Sequence, residues 1–179
     1  GTPGTLKIAD KDDNGLLNDE DKVVYNTAPK HIFGMNNTVT MGDFSLSVLV
    51  YARLGGYLDY EMNTQLNYEA ANWCNLDYWP LSNTGAKFPS PGAPSSIFAS
   101  YGSSLRYERA DYIKIKDVSL SYSVPAKVLK PIGISNVKIY GSLKNFFTFS
   151  SIDNYDSERG GDISFPLAKQ MVVGLNLEL

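Results

Sequence analysis

The chain has 179 residues, of which 16 are basic and 19 acidic, so its formal net charge is −3 with the single histidine neutral. This weakly acidic balance, without a basic block, argues against a nucleic-acid-binding surface. One cysteine excludes an internal disulfide framework and a thiolate zinc site, and 43% apolar residues with 20% charged residues exclude compositional disorder. The longest apolar run, residues 48–52, is far shorter than the roughly 20 residues of a transmembrane helix, so we expect neither such a helix nor a signal peptide. These bounds favour one soluble domain, although a membrane β-barrel satisfies them equally.

Alternation of apolar and polar residues predicts a β-hairpin in the first third of the chain. Residues 43–55 alternate between an apolar row that starts at Phe44 and a mostly polar row that starts at Asp43. Residues 33–41 alternate in the same way, and the glycine of segment 41–43 suits a tight reversal. Because successive strand side chains point to opposite faces, each strand has one apolar and one polar face.

A long irregular stretch, residues 58–109, follows the hairpin. It contains four prolines and nine aromatic residues. Structureless loops beyond about 15 residues are uncommon in compact domains and are usually functional.

Alternation resumes at residues 118–124, where Pro125 stops the strand. Ile113 and Ile115 lie on the opposite parity, which predicts a bulge or a change of environment near residues 116–117. The remaining predicted elements are a connector at 125–136 with one helical turn at 126–130, a strand at 137–144, a polar loop at 153–169 and a final strand at 173–179.

The loops between the five predicted strands alternate between short and long. In an antiparallel meander this places all long loops at one end of the sheet and all short links at the other, as in outer-membrane barrels. A soluble antiparallel sandwich shows the same alternation within its strands, so periodicity alone leaves both readings open.

Residues 10–21 match a twelve-residue calcium-binding loop, with Gly15 at the position of the sharp turn. Leu17 is expected to tuck inward and anchor the loop. The flanking sequences do not resemble long helices, so the motif predicts a structural clip rather than a calcium sensor. The alternative is a solvated turn without an ion. The predicted ligands are the side chains of Asp10, Asp12, Asn14, Asn18 and Asp21 and the backbone carbonyl of Leu16.

No catalytic constellation is visible, and we expect no enzymatic activity. His31 and Cys74 are each the only residue of their type and nothing supports their pairing, while the glycine pairs lack the spacing of a phosphate-binding loop. The aromatic residues of the long loop either contact a sugar, a peptide or a partner protein, or pack the loop against itself. The candidate contact residues are Tyr68, Trp73, Tyr78 and Trp79.

Several segments, in this order, resemble the C-terminal part of the SusC/RagA family of TonB-linked outer-membrane proteins. Ser157 stands where the family usually has proline. The segments are Gly4-Thr-Leu-Lys, the 10–21 loop, Pro29-Lys-His-Ile-Phe-Gly-Met-Asn-Asn37, Asp43-Phe-Ser-Leu-Ser47, Tyr78-Trp79, Ala86-Lys-Phe-Pro89, Asp111-Tyr-Ile-Lys-Ile-Lys-Asp-Val-Ser-Leu-Ser-Tyr122, Ile132-Gly-Ile-Ser-Asn-Val-Lys-Ile-Tyr140, Asn145-Phe-Phe147, Tyr155-Asp-Ser-Glu158 and residues 175–179.

The resemblance implies an all-β chain that supplies the last five antiparallel strands of a 22-stranded transmembrane barrel in the outer membrane of a Gram-negative, Bacteroidetes-like bacterium. Residues 1–28 are then an extracellular loop with the calcium-type motif, and residues 29–179 are barrel strands with extracellular loops at 58–109 and 153–169. The implied activity is TonB-dependent import of glycans or peptides together with a SusD-like surface lipoprotein. The implied partners are the rest of the barrel and plug, the lipoprotein, TonB and outer-membrane lipid. The alternative is a secreted, calcium-stabilised β-sandwich that binds carbohydrate.

In that orientation the two faces of the strands meet different surroundings. The expected lipid-facing residues are Phe44, Leu46, Val48, Val50, Val118, Leu120, Tyr122, Val137, Ile139, Leu143, Leu175 and Leu177. The expected lumen-facing residues are Ser45, Ser47, Arg53, Ser119, Ser121, Lys138, Ser142, Lys144 and Asn176.

Overall fold

The computed structural model describes residues 2–60, 76–90, 102–152, 156–160, 165 and 167–179. The chain divides into two compact units, one formed by Gly1–Ala28 and Gly56–Arg109, the other by Pro29–Gly55 and Ala110–Leu179. The elements are β1 (His31–Met41), β2 (Phe44–Leu54), β3 (Tyr57–Asp59), β4 (Tyr107–Arg109), β5 (Tyr112–Ser123), α1 (Ala126–Leu129), β6 (Asn136–Ser150) and β7 (Gln170–Glu178). Within the described residues, no helix is long and apolar enough to cross a membrane.

The second unit contains a five-stranded antiparallel sheet in the order β1-β2-β5-β6-β7. These strands overlap the five predicted from alternation. The β1–β2 reversal is tight, because Met41 pairs with Phe44 and Gly42 has a φ of +59°. A positive φ at the first central residue suits a two-residue hairpin turn, and glycine adopts it without steric cost. The predicted turn at 41–43 therefore narrows to Gly42 and Asp43.

The predicted irregularity in β5 is confirmed as a register shift. Relative to β6, the register changes between Ile115 and Asp117. On β6 the residue Asn145 takes a φ of +60°, and its side-chain amide donates to the Ala168 carbonyl at 3.2 Å. β6 continues to Ser150, beyond the predicted end at residue 144, because Asn145 interrupts the alternation without ending the strand.

The connector between β5 and β6 contains the predicted helical turn. Pro125 precedes α1, a 3₁₀ turn at Lys130–Ile132 follows, and Gly133 ends it with a φ of +75°. Leu129 is buried and anchors the turn.

In the first unit, β3 and β4 form a short antiparallel pair that alternation does not predict. Three-residue strands are too short to show a period of two. The Arg106 guanidinium donates to both carboxylate oxygens of Asp59, at 2.6 and 2.7 Å, and so reinforces this pair. Tyr25 packs against the rings of Tyr57 and Tyr107, with centroid distances of 4.7 and 5.0 Å.

Candidate functional site

The five-stranded sheet has one continuous apolar face. Residues paired across antiparallel strands share a face, and Phe44, Tyr122, Ile139 and Leu175 form one such row. The pairings place all twelve residues expected to face lipid on this face. Six of the twelve are exposed, from 42% for Leu46 to 60% for Leu175, the other six are half-buried, and none is fully buried. The inner face of a β-sandwich is buried, so this exposed face does not fit the alternative reading.

The opposite face is polar, and its side chains bond to one another. All nine residues expected to face a lumen share it. The Ser119 and Ser142 hydroxyls both donate to the Asp117 carboxylate, the latter at 2.6 Å. The Thr38 hydroxyl donates to Ser47 Oγ at 3.2 Å. These hydrogen bonds give the hydroxyl groups and the Asp117 carboxylate partners within the sheet.

A cluster of charges links β5 to residues 156–160, which we name the 156–160 turn. The Lys114 ammonium donates to Glu158 Oε2 at 2.9 Å and to the Asp156 carboxylate at 3.3 Å. The Lys116 ammonium donates to the other Glu158 oxygen. Burial raises the pKa of Glu158, but the hydrogen bonds from Lys116 and Lys114 outweigh it, so the net pKa lies below the usual value of 4.5.

The calcium-type loop brings three of its predicted side-chain ligands together. One carboxylate oxygen from each of Asp10, Asp12 and Asp21 lies within 4.8 Å of the others. Gly15 has a φ of +82°, and its N–H donates to Asp10 Oδ2 at 2.7 Å, which fulfils the turn role expected of that glycine. Clustered carboxylate oxygens are the ligands that Ca²⁺ prefers, so the donor set fits this ion.

The other predicted ligands make local hydrogen bonds. Asn14 Oδ1 accepts from the Leu16 N–H at 2.8 Å, and Asn18 Oδ1 accepts from the Glu20 N–H at 2.6 Å. Backbone hydrogen bonds from Asn18 and Lys11 lower the pKa of the Asp21 carboxyl. The expectation that Leu17 tucks inward is wrong, because that residue is 49% exposed. The loop ends in a 3₁₀ turn, Asp19–Asp21, in which no residue is buried, so the turn offers no core against which Leu17 could pack.

Two of the four candidate contact residues can be placed. Tyr78 and Trp79 are half-buried, and the Trp79 N–H donates to the Phe88 carbonyl at 3.0 Å. The Trp79 ring lies so close to Gly4 that a Cβ there would come within 2.8 Å of its Cε3 atom. Tyr68 and Trp73 lie outside the described residues, as does Cys74. A ligand-contact role for these aromatic residues stays a prediction.

Comparison with known proteins shows which proteins this chain is similar to. No family model matches the chain. It is 27% identical over 196 residues to TonB-dependent receptor P3 of Formosa agariphila, a match that covers 98% of this chain and 19% of that protein. It is 24% identical to TonB-dependent receptor P26 of the same organism, over 97% of this chain and 19% of that protein. The resemblance to the C-terminal portion of a SusC/RagA-like receptor is confirmed.

Solved structures show the same fold. The RagAB peptide importer in its open-open state matches with a TM-score of 0.67 at 18% identity, and in its closed-closed state with 0.68 at 18% identity. Both matches cover 88% of this chain and 18% of the chain compared. The present chain thus spans about a fifth of the length of the receptors it resembles.

Sequence reasoning missed the cluster of Lys114, Asp156 and Glu158. The lysine and its two carboxylates are 42 and 44 residues apart, and no local spacing connects them. The only signal was the Tyr-Asp-Ser-Glu segment noted for the resemblance, which carried no role.

Proposed function

We propose that this chain is part of the barrel wall of a TonB-dependent importer in the outer membrane of a Gram-negative, Bacteroidetes-like bacterium. The observation that carries the proposal is the five-stranded sheet with one exposed apolar face and one polar face. Each strand is 9–15 residues long, and roughly 9 to 11 tilted residues suffice to cross a bilayer. The apolar face then meets lipid, and the polar face lines a lumen.

Five strands cannot close a barrel, since about eight is the smallest working number. β1 and β7 are the outer strands of the sheet, and within the described residues neither pairs with a further strand on its outer edge. Every residue of β1 is exposed, as are all but one of β7. Open edges of this length require partner strands. We infer that further strands of the same receptor complete a 22-stranded barrel, with these five as its last.

The orientation follows from the two kinds of connection. The long loops at 58–109 and 153–169, together with residues 1–28, are proposed to be extracellular, and the links at 42–43 and 125–135 periplasmic. Nutrient import fits the relatives, which are TonB-dependent receptors, and the RagAB structures, which are of a peptide importer. The proposed cargo is a peptide or glycan, and the proposed partners are TonB and a SusD-like surface lipoprotein, with no catalytic role for this chain.

Deletion of the receptor gene tests this function. We expect the deletion strain to lose uptake of at least one labelled oligopeptide or oligosaccharide, and the full-length gene to restore it. Uptake should also cease in a strain without TonB, because TonB is proposed to transmit the energy for import to the receptor. A receptor recovered from the soluble fraction, or uptake unchanged for every oligomer tested, would contradict the proposal.

We also propose that residues 10–21 bind one Ca²⁺ as a structural clip. Asp10, Asp12 and Asp21 would supply carboxylate ligands, with the Leu16 carbonyl, Asn14 and Asn18 as further candidates. The convergence of three carboxylates supports the site. In the absence of an ion, mutual repulsion of these groups would loosen the loop.

We expect EDTA to lower the melting temperature of this region in the full-length receptor and to speed protease cleavage within residues 2–30, and Ca²⁺ to reverse both effects. Ligand at a hundred times its Kd stabilises a folded state by about 2.7 kcal/mol. Asp12→Asn should weaken Ca²⁺ binding at least about tenfold, because it removes one of the three carboxylates. The control Asp13→Asn alters a neighbouring residue outside the cluster, at a φ of +63° that asparagine tolerates. Equal melting and cleavage with EDTA and with Ca²⁺ would rule the clip out.

A further inference from the structure

A buried lysine stands on the polar face of the sheet. Lys114 of β5 is 1% exposed, the lowest fraction among the large side chains described. Burial of an ammonium group costs several kcal/mol unless hydrogen-bonded opposite charges surround it. The location of its negatively charged partners therefore shows which segment of the chain the lysine binds.

Those partners do not come from the sheet. Across the ladder Lys114 pairs with Tyr51 on β2 and Thr148 on β6, neither of which carries a negative charge. Its carboxylate partners, Asp156 and Glu158, both belong to the 156–160 turn. The pairing of residue 114 within the sheet does not require a positive charge, because neither neighbour is acidic. The charge of Lys114 therefore interacts with the turn.

Further contacts fix the same turn to the neighbouring strand. Ser157 is buried, and its hydroxyl is hydrogen-bonded to the Ser150 hydroxyl at the end of β6. The Asp156 carboxylate also accepts from the Glu158 N–H at 3.0 Å, which closes the turn on itself. The turn is thus closed by a hydrogen bond of its own and bonded to two strands, β5 and β6.

We propose that Lys114 is a positioning residue that pins the 156–160 turn onto the polar face of the sheet. The turn then covers Lys114 and presents Arg159 and Gly160, both exposed, as the outer surface. If the polar face lines the lumen, as proposed above, cargo passing this end of the sheet meets Arg159 rather than Lys114. That consequence rests on the proposed function, whereas the pinning itself does not.

Hydrogen exchange in the folded full-length receptor tests the pinning. Lys114→Met keeps most of the length of the unbranched side chain and removes the charge. We expect amide exchange at Glu158, Arg159 and Gly160 to rise at least about tenfold, because a released turn opens locally. Exchange within β5 and β6 should stay unchanged. The matched control is Lys138→Met on the polar face of β6, for which the described part of the chain shows no ion pair; it should leave the turn protected.

A second variant keeps the test decisive if Lys114→Met does not assemble. Lys114→Met combined with Asp156→Asn and Glu158→Gln leaves no unpaired carboxylate at the cluster, and uncharged replacements of buried ion pairs are often tolerated. Lys116 loses its Glu158 partner in this variant, but its side chain is 32% exposed and stays in contact with water. The turn should again exchange at least about tenfold faster. Wild-type exchange at the turn in either folded variant would overturn the proposal, as would a rise spread evenly over β5 and β6. If exchange at the turn rises in the variants as expected, but the full-length receptor does not restore uptake in the deletion strain, the result counts against the proposed function and not against the pinning.

Discussion

Leu120→Arg is expected to impair assembly of the receptor in the outer membrane. Leu120 lies on the apolar face, 51% exposed, between Leu46 of β2 and Gly141 of β6. An arginine near the bilayer midplane on the lipid face of such a barrel costs about 2–4 kcal/mol. Since about 1.4 kcal/mol changes an equilibrium tenfold, the equilibrium constant for assembly should fall by more than an order of magnitude. The measurement is the amount of folded, heat-modifiable receptor in the outer-membrane fraction.

Ser119→Arg is the matched control, one residue away on the opposite face. Ser119 pairs with Ser47 and Ser142, and its hydroxyl already donates to the Asp117 carboxylate. An arginine there can keep an acidic partner and reach water in the lumen, so assembly should be close to that of the wild type. Equal loss of assembly in both variants, or equal tolerance of both, would contradict the assignment of the two faces.

The two faces could be predicted from the sequence because a period of two depends only on neighbouring residues. A strand keeps that period as long as its backbone stays regular, which is why Phe44, Leu120 and Leu175 were placed on one face. The Asp-rich loop was predictable for a similar reason. Its three convergent carboxylates, Asp10, Asp12 and Asp21, lie within twelve residues, so sequence spacing and spatial proximity coincide.

Prediction failed where the backbone or the contacts departed from local regularity. Asn145, with a φ of +60°, interrupts the alternation of β6, so residues 145–150 were not predicted as part of that strand. The strands β3 and β4 show no sequence pattern of their own, and their pairing is reinforced by an ion pair between Asp59 and Arg106, which are distant in sequence. The contacts of Lys114 with the 156–160 turn likewise depend on tertiary structure, which no spacing rule encodes.

Gly55→Ala is expected to destabilise the sheet by a few kcal/mol, because two costs add at that position. Gly55 follows β2 directly with a φ of +83°, and an L-residue pays roughly 1–2 kcal/mol for that conformation. A new Cβ would also lie 2.9 Å from the Lys30 Cβ, an atom close to the backbone that cannot swing aside. Displacement of Lys30 would strain the hydrogen bond that its N–H donates to the Leu54 carbonyl at 2.9 Å.

The same displacement reaches the ends of two further strands. The Gly55 N–H donates to the Asp111 carboxylate at 2.5 Å, just before β5 begins. The Asp111 N–H in turn donates to Ser151 Oγ at 3.1 Å, just after β6 ends. Gly55 therefore ties together the ends of β2, β5 and β6, and strain at one residue weakens all three.

Gly34→Ala is the control that separates these costs from a general effect of glycine replacement. Gly34 lies within β1, its φ is not positive, and nothing lies within 4 Å of the Cβ that would be added. Glycine inside a strand costs roughly 0.5–1 kcal/mol relative to alanine, so this variant should be neutral or slightly more stable. Urea unfolding of the full-length receptor in liposomes measures both. If Gly55→Ala unfolds at the same urea concentration as Gly34→Ala, the junction at Gly55 does not hold the strand ends as described, because neither the backbone strain nor the clash with Lys30 would then have cost the folded state anything.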